Sequence, residues 1–155
     1  MTTTSHGLGP VSRAGSSDRH ELTWMINEFA ADTPGVVHVV LLAVDGLALA
    51  ASDGYDRDQV DKTAATAGSL MSIAHAISRE YGAGRPEILT FRTPSLHFLF
   101  MHVADLAGLA VVADRTSNLS VVGHQMQRLV TAVGARLNPD ARPTPVPRPA
   151  APSTN

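Results

Sequence analysis

Residues 41–52 read LLAVDGLALAAS, inside an almost unbroken apolar run from Val36 to Ala51. His38 and Asp45 are its only polar side chains. The run is a membrane span, a buried helix, or two strands folded back on each other. A span needs about 20 apolar residues without a central charge; this run is shorter and carries Asp45-Gly46. A helix would crowd Val36, Val37, Val39, Val40 and Val44 at χ1. Asp-Gly between two apolar runs is a hairpin signal, because a type I′ turn needs positive φ at both central residues. The expected strands are Val36–Val44 and Leu47–Ala51. Such a turn pairs Val44 with Leu47, Leu42 with Leu49 and Val40 with Ala51 on one face. It pairs Ala43 with Ala48 and Leu41 with Ala50 on the other. Neither face is polar. A sheet apolar on both faces must be covered on both, which requires helix–sheet–helix layers.

The flanking segments supply those layers. Leu22, Met25, Ile26 and Phe29 recur at helical spacing behind an N-cap expected at Asp18 or Ser17. Trp24 falls off that stripe, either as a sheet-edge contact or as a surface anchor. Thr33-Pro34-Gly35 ends the helix. A long helix is expected over Arg57–Tyr81, capped by Asp56. Val60, Ala64, Ala67, Met71, Ala74 and Tyr81 line its core face, flanked by Leu70 and Ile77. Ala65, Ser69, Ile73 and Ala76 form a second stripe of small or apolar residues, as in a helix buried from two sides. Gly82-Ala83-Gly84 ends it. Glu87–Thr93 reads as a half-polar edge strand, with Ile88, Thr90 and Arg92 on one face and Leu89 and Phe91 on the other. Two more strands follow at 96–103 and 109–113. Asn118 caps a last helix that carries Leu119, Val122, Met126, Leu129, Val133 and Leu137.

The expected fold is therefore α/β (α+β), three-layered, in the order α-β-β-α-β-β-β-α. The folded unit spans 18–138, between a disordered tail at 1–17 and a Pro-rich one at 139–155 whose PTPVPRP samples polyproline conformations.

Composition and motifs narrow the function. The chain has 155 residues, a formal net charge of −2 and no cysteine. Weak net charge argues against a mainly electrostatic nucleic-acid binder. The lack of thiols excludes disulfide and thiolate chemistry and points to a cytoplasmic setting. The N-terminus has no apolar signal region, and no direct membrane insertion is expected. There is no phosphate-cradling G-x-x-x-x-G-K-[ST] and no G-x-S-x-G elbow. The histidines fall on different elements without metal-ligand spacing; His97 and His102, five apart on one strand, face opposite sides. Asp45, Asp105 and Asp114 read as turn residues. No catalytic residue, metal ligand or cofactor site is expected, so the chain reads as a non-enzyme.

Four segments carry a resemblance: LTWMINEFAADTPGVVHVVLLAVDGLALAAS at 22–52, DKTAATAGSLMSIAHAI at 61–77, GLAVVAD at 108–114 and VVGHQMQRLV at 121–130. In this order they resemble the Roadblock/dynein light-chain superfamily, in the version encoded beside small GTPases in actinobacterial conservon operons, akin to mutual gliding protein B-like regulators. The resemblance covers about residues 20–137. It implies a five-stranded antiparallel sheet between helices and a homodimer sealed by the long helix and the edge strand after it. Here that seam would comprise Ala65, Ser69, Ile73, Ala76, Ile88, Thr90 and Arg92. It further implies a platform for a Ras-like small GTPase that at most modulates the partner's nucleotide turnover. A sensor-kinase-like protein of the same operon is a further implied partner, with peripheral attachment to the membrane through partners. The alternative is a ligand-sensing or general interaction module with a PAS- or profilin-like layout. That reading needs a roomy pocket between helix and sheet, against which the small Ala48 and Ala50 argue.

Overall fold

The computed structural model describes residues 15–138. The expectations for the two tails lie outside these residues, except at Gly15, which caps the first helix, and Ser16 and Ser17, which belong to it. The elements are α1 (Ser16–Asp32), β1 (Val36–Ala43), β2 (Ala48–Ala51), α2 (Arg57–Glu80), β3 (Ile88–Arg92), β4 (Leu96–Val103), β5 (Ala107–Asp114) and α3 (Leu119–Leu137). The sheet is antiparallel with strand order β2-β1-β5-β4-β3. The fold class and element order are those expected.

Local chemistry sets the ends. Gly15, rather than Asp18 or Ser17, is the N-cap of α1. Asp18 sits at the third helical position, where its carboxylate accepts from the Gly15 N–H at 3.1 Å. Asp56 caps α2 by accepting from the Gln59 N–H at 3.3 Å. Asn118 caps α3, its Oδ1 accepting from Ser120 and Val121. Each oxygen satisfies amides that the first helical turn leaves without a partner. At the other end of α2, Ala83 N–H donates to Ser78 O and Gly82 N–H to Arg79 O, with Gly82 at φ +60°. This is a Schellman stop, which a glycine permits without a Cβ penalty.

The first hairpin departs from the expected turn. Gly46 has φ +83°, but Asp45 does not lie in the left-handed region. Gly46 N–H donates to Ala43 O at 2.9 Å and Ala43 N–H to Leu47 O at 2.8 Å. The loop is therefore three residues, Val44-Asp45-Gly46, built as a turn followed by a left-handed glycine. Asp45 Oδ1 accepts from Leu47 N–H at 3.1 Å and braces it. The outer pairs Val40↔Ala51 and Leu41↔Ala50 match expectation, but Leu42 pairs with Ala48 and the register shifts between Leu41 and Leu42. A bulge at Leu49 absorbs the extra residue. It puts Ala48 and Ala51 on the α2 side and Leu49 and Ala50 on the other.

Two helices cover one face and one covers the other. Leu22, Ile26 and Phe29 of α1 and Val122, Met126, Leu129 and Val133 of α3 pack on Val39, Leu41, Leu99, Met101, Val103, Leu109 and Val111. An Arg136–Glu21 ion pair at 2.7 Å joins the two helices at the surface. On the opposite face, Val60, Ala64, Ala67 and Met71 of α2 meet Val40, Leu42, Phe100 and Ala110. Here the backbones come close. A Cβ at Gly68 would lie 3.1 Å from Gly46 Cα, and one at Gly46 would lie 3.3 Å from Ala65 Cα. The hairpin tip is thus pinned under the middle of α2. Among the described residues, no helix is long and apolar enough to cross a membrane.

Candidate functional site

Three strands, β2, β1 and β5, lie under α2, and the β4–β3 side of the same face is left largely open. Leu89, Phe91, Phe98 and Phe100 point to this side by strand alternation and register. Phe91 stacks on Phe98 with ring centroids 4.6 Å apart and approaches Phe100 at 5.9 Å. The stack forms one wall of a shallow groove of about 200 Å³. The other wall is the flank of α2 that carries Thr66 and Leu70. Ile73 and Ile77 continue this flank at i+3 and i+7 from Leu70, the spacing that keeps side chains on one side of a helix. Ile73 is 57% exposed, Ile77 54% and Phe91 40%. Large apolar side chains this exposed, and contiguous across two elements, mark an interaction surface rather than scattered surface residues. Beside them β3 pairs only with β4, so its outer backbone edge is unpaired among the described residues.

The seven residues expected at the seam do not form one surface. Ile73 lies on the groove flank. Ala65, Ser69 and Ala76 are exposed but sit farther round α2, facing away from the sheet. Ile88, Thr90 and Arg92 alternate with Leu89 and Phe91, so they point to the α3 side of β3. A Cβ at Gly123 of α3 would lie 3.9 Å from Ile88 Cδ1. The sequence alone does not mark Leu70, Ile77, Phe91 and Phe98 as groove residues. Their apolar character assigns them to a core, and only the position of α2 over the sheet leaves Ile77 and Phe91 exposed and Leu70 and Phe98 half-buried. Asp45 and Gly46 lie in the three-residue loop between β1 and β2. Trp24 is 61% exposed, on the surface of α1.

The other flank of α2 borders a cleft of about 370 Å³ at the end of the sheet where β1 stops and β5 starts. Leu42, Met71 and Gly108 lie at its base, and His75, Arg79, Arg85 and His102 line it. The His75 and His102 rings meet edge to face, with centroids 6.5 Å apart. Arg85 pairs with the Asp105 carboxylate and donates to Ala104 O. Burial, then the charges of Arg85 and His75, hold the His102 pKa below its ordinary value, while Asp105 pulls it up. The close backbone approach seen at Gly46 and Gly68 gives way here to open space.

Two further histidines and one carboxylate are built into the fold. His38 stacks on Tyr55 at 3.9 Å, and burial lowers its pKa. His97 is buried, with Nε2 donating to Arg115 O at 3.1 Å. The Asp114 pKa is lowered by hydrogen bonds from the Thr116 hydroxyl and amide, as suits a turn carboxylate. Among the described residues, no three His, Cys, Asp or Glu side chains cluster as metal ligands.

Comparison with known proteins gives this geometry a setting. A sequence model of the Roadblock/LC7 domain matches residues 22–113. The solved Roadblock/LC7 domain of Streptomyces avermitilis aligns with a TM-score of 0.71 at 28% identity, covering 74% of this chain and 96% of that one. Myxococcus xanthus MglB aligns at 0.73 with 10% identity, over 81% of this chain and 94% of its own. Profilin IA of Acanthamoeba castellanii gives 0.53 at 15% identity, over 74% and 97%. At such identities the last two speak to the fold alone. No curated protein sequence matches the chain.

Proposed function

Because the chain belongs to the Roadblock/LC7 domain family, we propose that it is a homodimeric, non-enzymatic platform that regulates or scaffolds a Ras-like small GTPase. The observation that carries the dimer is the open β4–β3 side. A second copy laid edge to edge against β3 would satisfy the unpaired backbone. It would also bring its α2 against Thr66, Leu70, Ile73 and Ile77 and cover the Phe91–Phe98 stack. The apolar centre of this seam is the α2 flank and the aromatic stack. The smaller Ala65, Ser69 and Ala76 lie toward its rim or on the outer surface. Ile88, Thr90 and Arg92 contribute through the β3 edge and its far side.

The GTPase reading rests on family membership and on the resemblance to the conservon type. In that reading any nucleotide chemistry belongs to the GTPase, and this chain positions it. A sensor-kinase-like protein of the same operon fits as a further partner, and residence in the cytoplasm or at the membrane periphery fits both.

The test combines the purified chain with the small GTPase encoded nearest to it, loaded with GTP or GDP. Co-elution in one nucleotide state, or a changed hydrolysis or exchange rate, is expected. No co-elution and no rate change in either state would refute the GTPase partner. The mass of the chain alone by light scattering tests the dimer separately.

A further inference from the structure

We propose that the cleft beside the C-terminal half of α2 is a binding site for a small organic anion, a phosphate ester or a carboxylate with a compact apolar body. This is independent of the GTPase reading. The cleft's volume, about 370 Å³, falls in the range of small-molecule sites, which combine an apolar floor with a few convergent polar groups. The floor is Leu42, Met71 and Gly108. The polar groups come from three elements. His75 and Arg79 are one helical turn apart on α2, His102 is on β4, and Arg85 lies in the loop before β3.

The state of these groups points to an anion. Arg79 makes no hydrogen bond or ion pair among the described residues, so its guanidinium fork is free for a planar carboxylate or a phosphate. The buried Nε2 of His102 has no hydrogen-bond partner. A buried polar atom without a partner is unusual in a folded protein and calls for an explanation. His38 Nδ1 and His97 Nδ1 share this state, so the two guanidinium groups carry the assignment. Arg85 is held by Ala104 O and the Asp105 carboxylate, so a positive charge is fixed at the wall before any ligand arrives. Two guanidinium groups against one carboxylate leave the polar side net positive. The apolar floor selects an organic body over a bare inorganic ion.

Titration of the full-length ¹⁵N-labelled chain tests this, with phenyl phosphate, benzoate, phenol and inorganic phosphate as probes. Saturable shifts of the Met71, His102 and Gly108 amides with phenyl phosphate or benzoate are expected, with weaker responses to inorganic phosphate and phenol. Arg79→Gln, at an exposed position, should weaken the response about tenfold, the loss of one charge-assisted pair, while the rest of the spectrum stays unchanged. Absence of saturable shifts with both organic anions overturns the site. An equal response to phenol shows an apolar hole and overturns the anion assignment. An equal response to inorganic phosphate overturns the organic body. An Arg79→Gln variant that binds as tightly as the parent overturns the cationic wall.

Discussion

The two faces of the sheet are built from the same kind of strand and end up in different states. Val39, Leu41, Leu99 and Leu109 on one face are fully buried under α1 and α3. On the other, Phe98 and Leu89 are only half-buried and Phe91 is exposed, because α2 alone cannot span five strands. An α-helix with its side chains is roughly 10 Å wide and strands are spaced about 4.8 Å apart, so one helix covers two to three strands. Three helices on a five-stranded sheet therefore leave an open half-face. The covered face carries stability, and the open one is available for a partner.

Substitutions at the two faces should separate these roles. The largest effect belongs to the covered face. Ile26 is wholly buried between α1 and the sheet, and Ile26→Ala removes apolar contact and leaves a cavity. A loss of about 3 kcal/mol in denaturant unfolding is expected; a loss below about 1 kcal/mol would mean that α1 is not part of the core. Gly46→Val comes next. Its φ of +83° disfavours a β-branched residue, and the new Cβ would press on Ala65 Cα at 3.3 Å. A cost of about 2 kcal/mol is expected, and an unchanged melting temperature would reject the left-handed turn. Ile73→Glu, on the open half-face, should change monomer stability by no more than about 0.5 kcal/mol yet convert a dimer to monomers in light scattering. Ala65→Arg, farther round the helix, should leave the mass unchanged. If Ala65→Arg splits the dimer and Ile73→Glu does not, the seam lies on the small-residue stripe.

How far these features were legible depended on whether their cause was local. The hairpin, the three-layer order and the caps at Asp56 and Asn118 follow from short patterns: alternating or continuous apolar runs, Asp-Gly, a polar residue before a helix. The three-residue loop was not legible, because Asp-Gly suits both a two-residue turn and a longer one closed by a left-handed glycine. The face of Ala48 changed with it, since a one-residue slip reverses a side chain. The groove was hidden for a different reason. Leu70, Ile77 and Phe91 look like core residues until the strand order shows that α2 lies over β2, β1 and β5. The meeting of His75 with His102 likewise depends on where α2 crosses the sheet end, which no local spacing encodes.

The smallest expected effect is a pH dependence from the open face, where both shifted histidines lie. His38 stacks on Tyr55, and His102 faces His75, Arg85 and Asp105. Burial lowers both pKa values, so the folded chain takes up these protons less readily than the unfolded one. The associated stability is complete above the ordinary histidine value of about 6.5 and is lost as pH falls below it toward the folded values. The melting temperature should therefore fall modestly from about pH 7.5 to about pH 5.5. His38→Phe keeps a ring against Tyr55 and removes one titration; His102→Gln removes the other. The double variant should flatten the slope, whereas a slope unchanged by both would show that neither histidine carries the acid sensitivity.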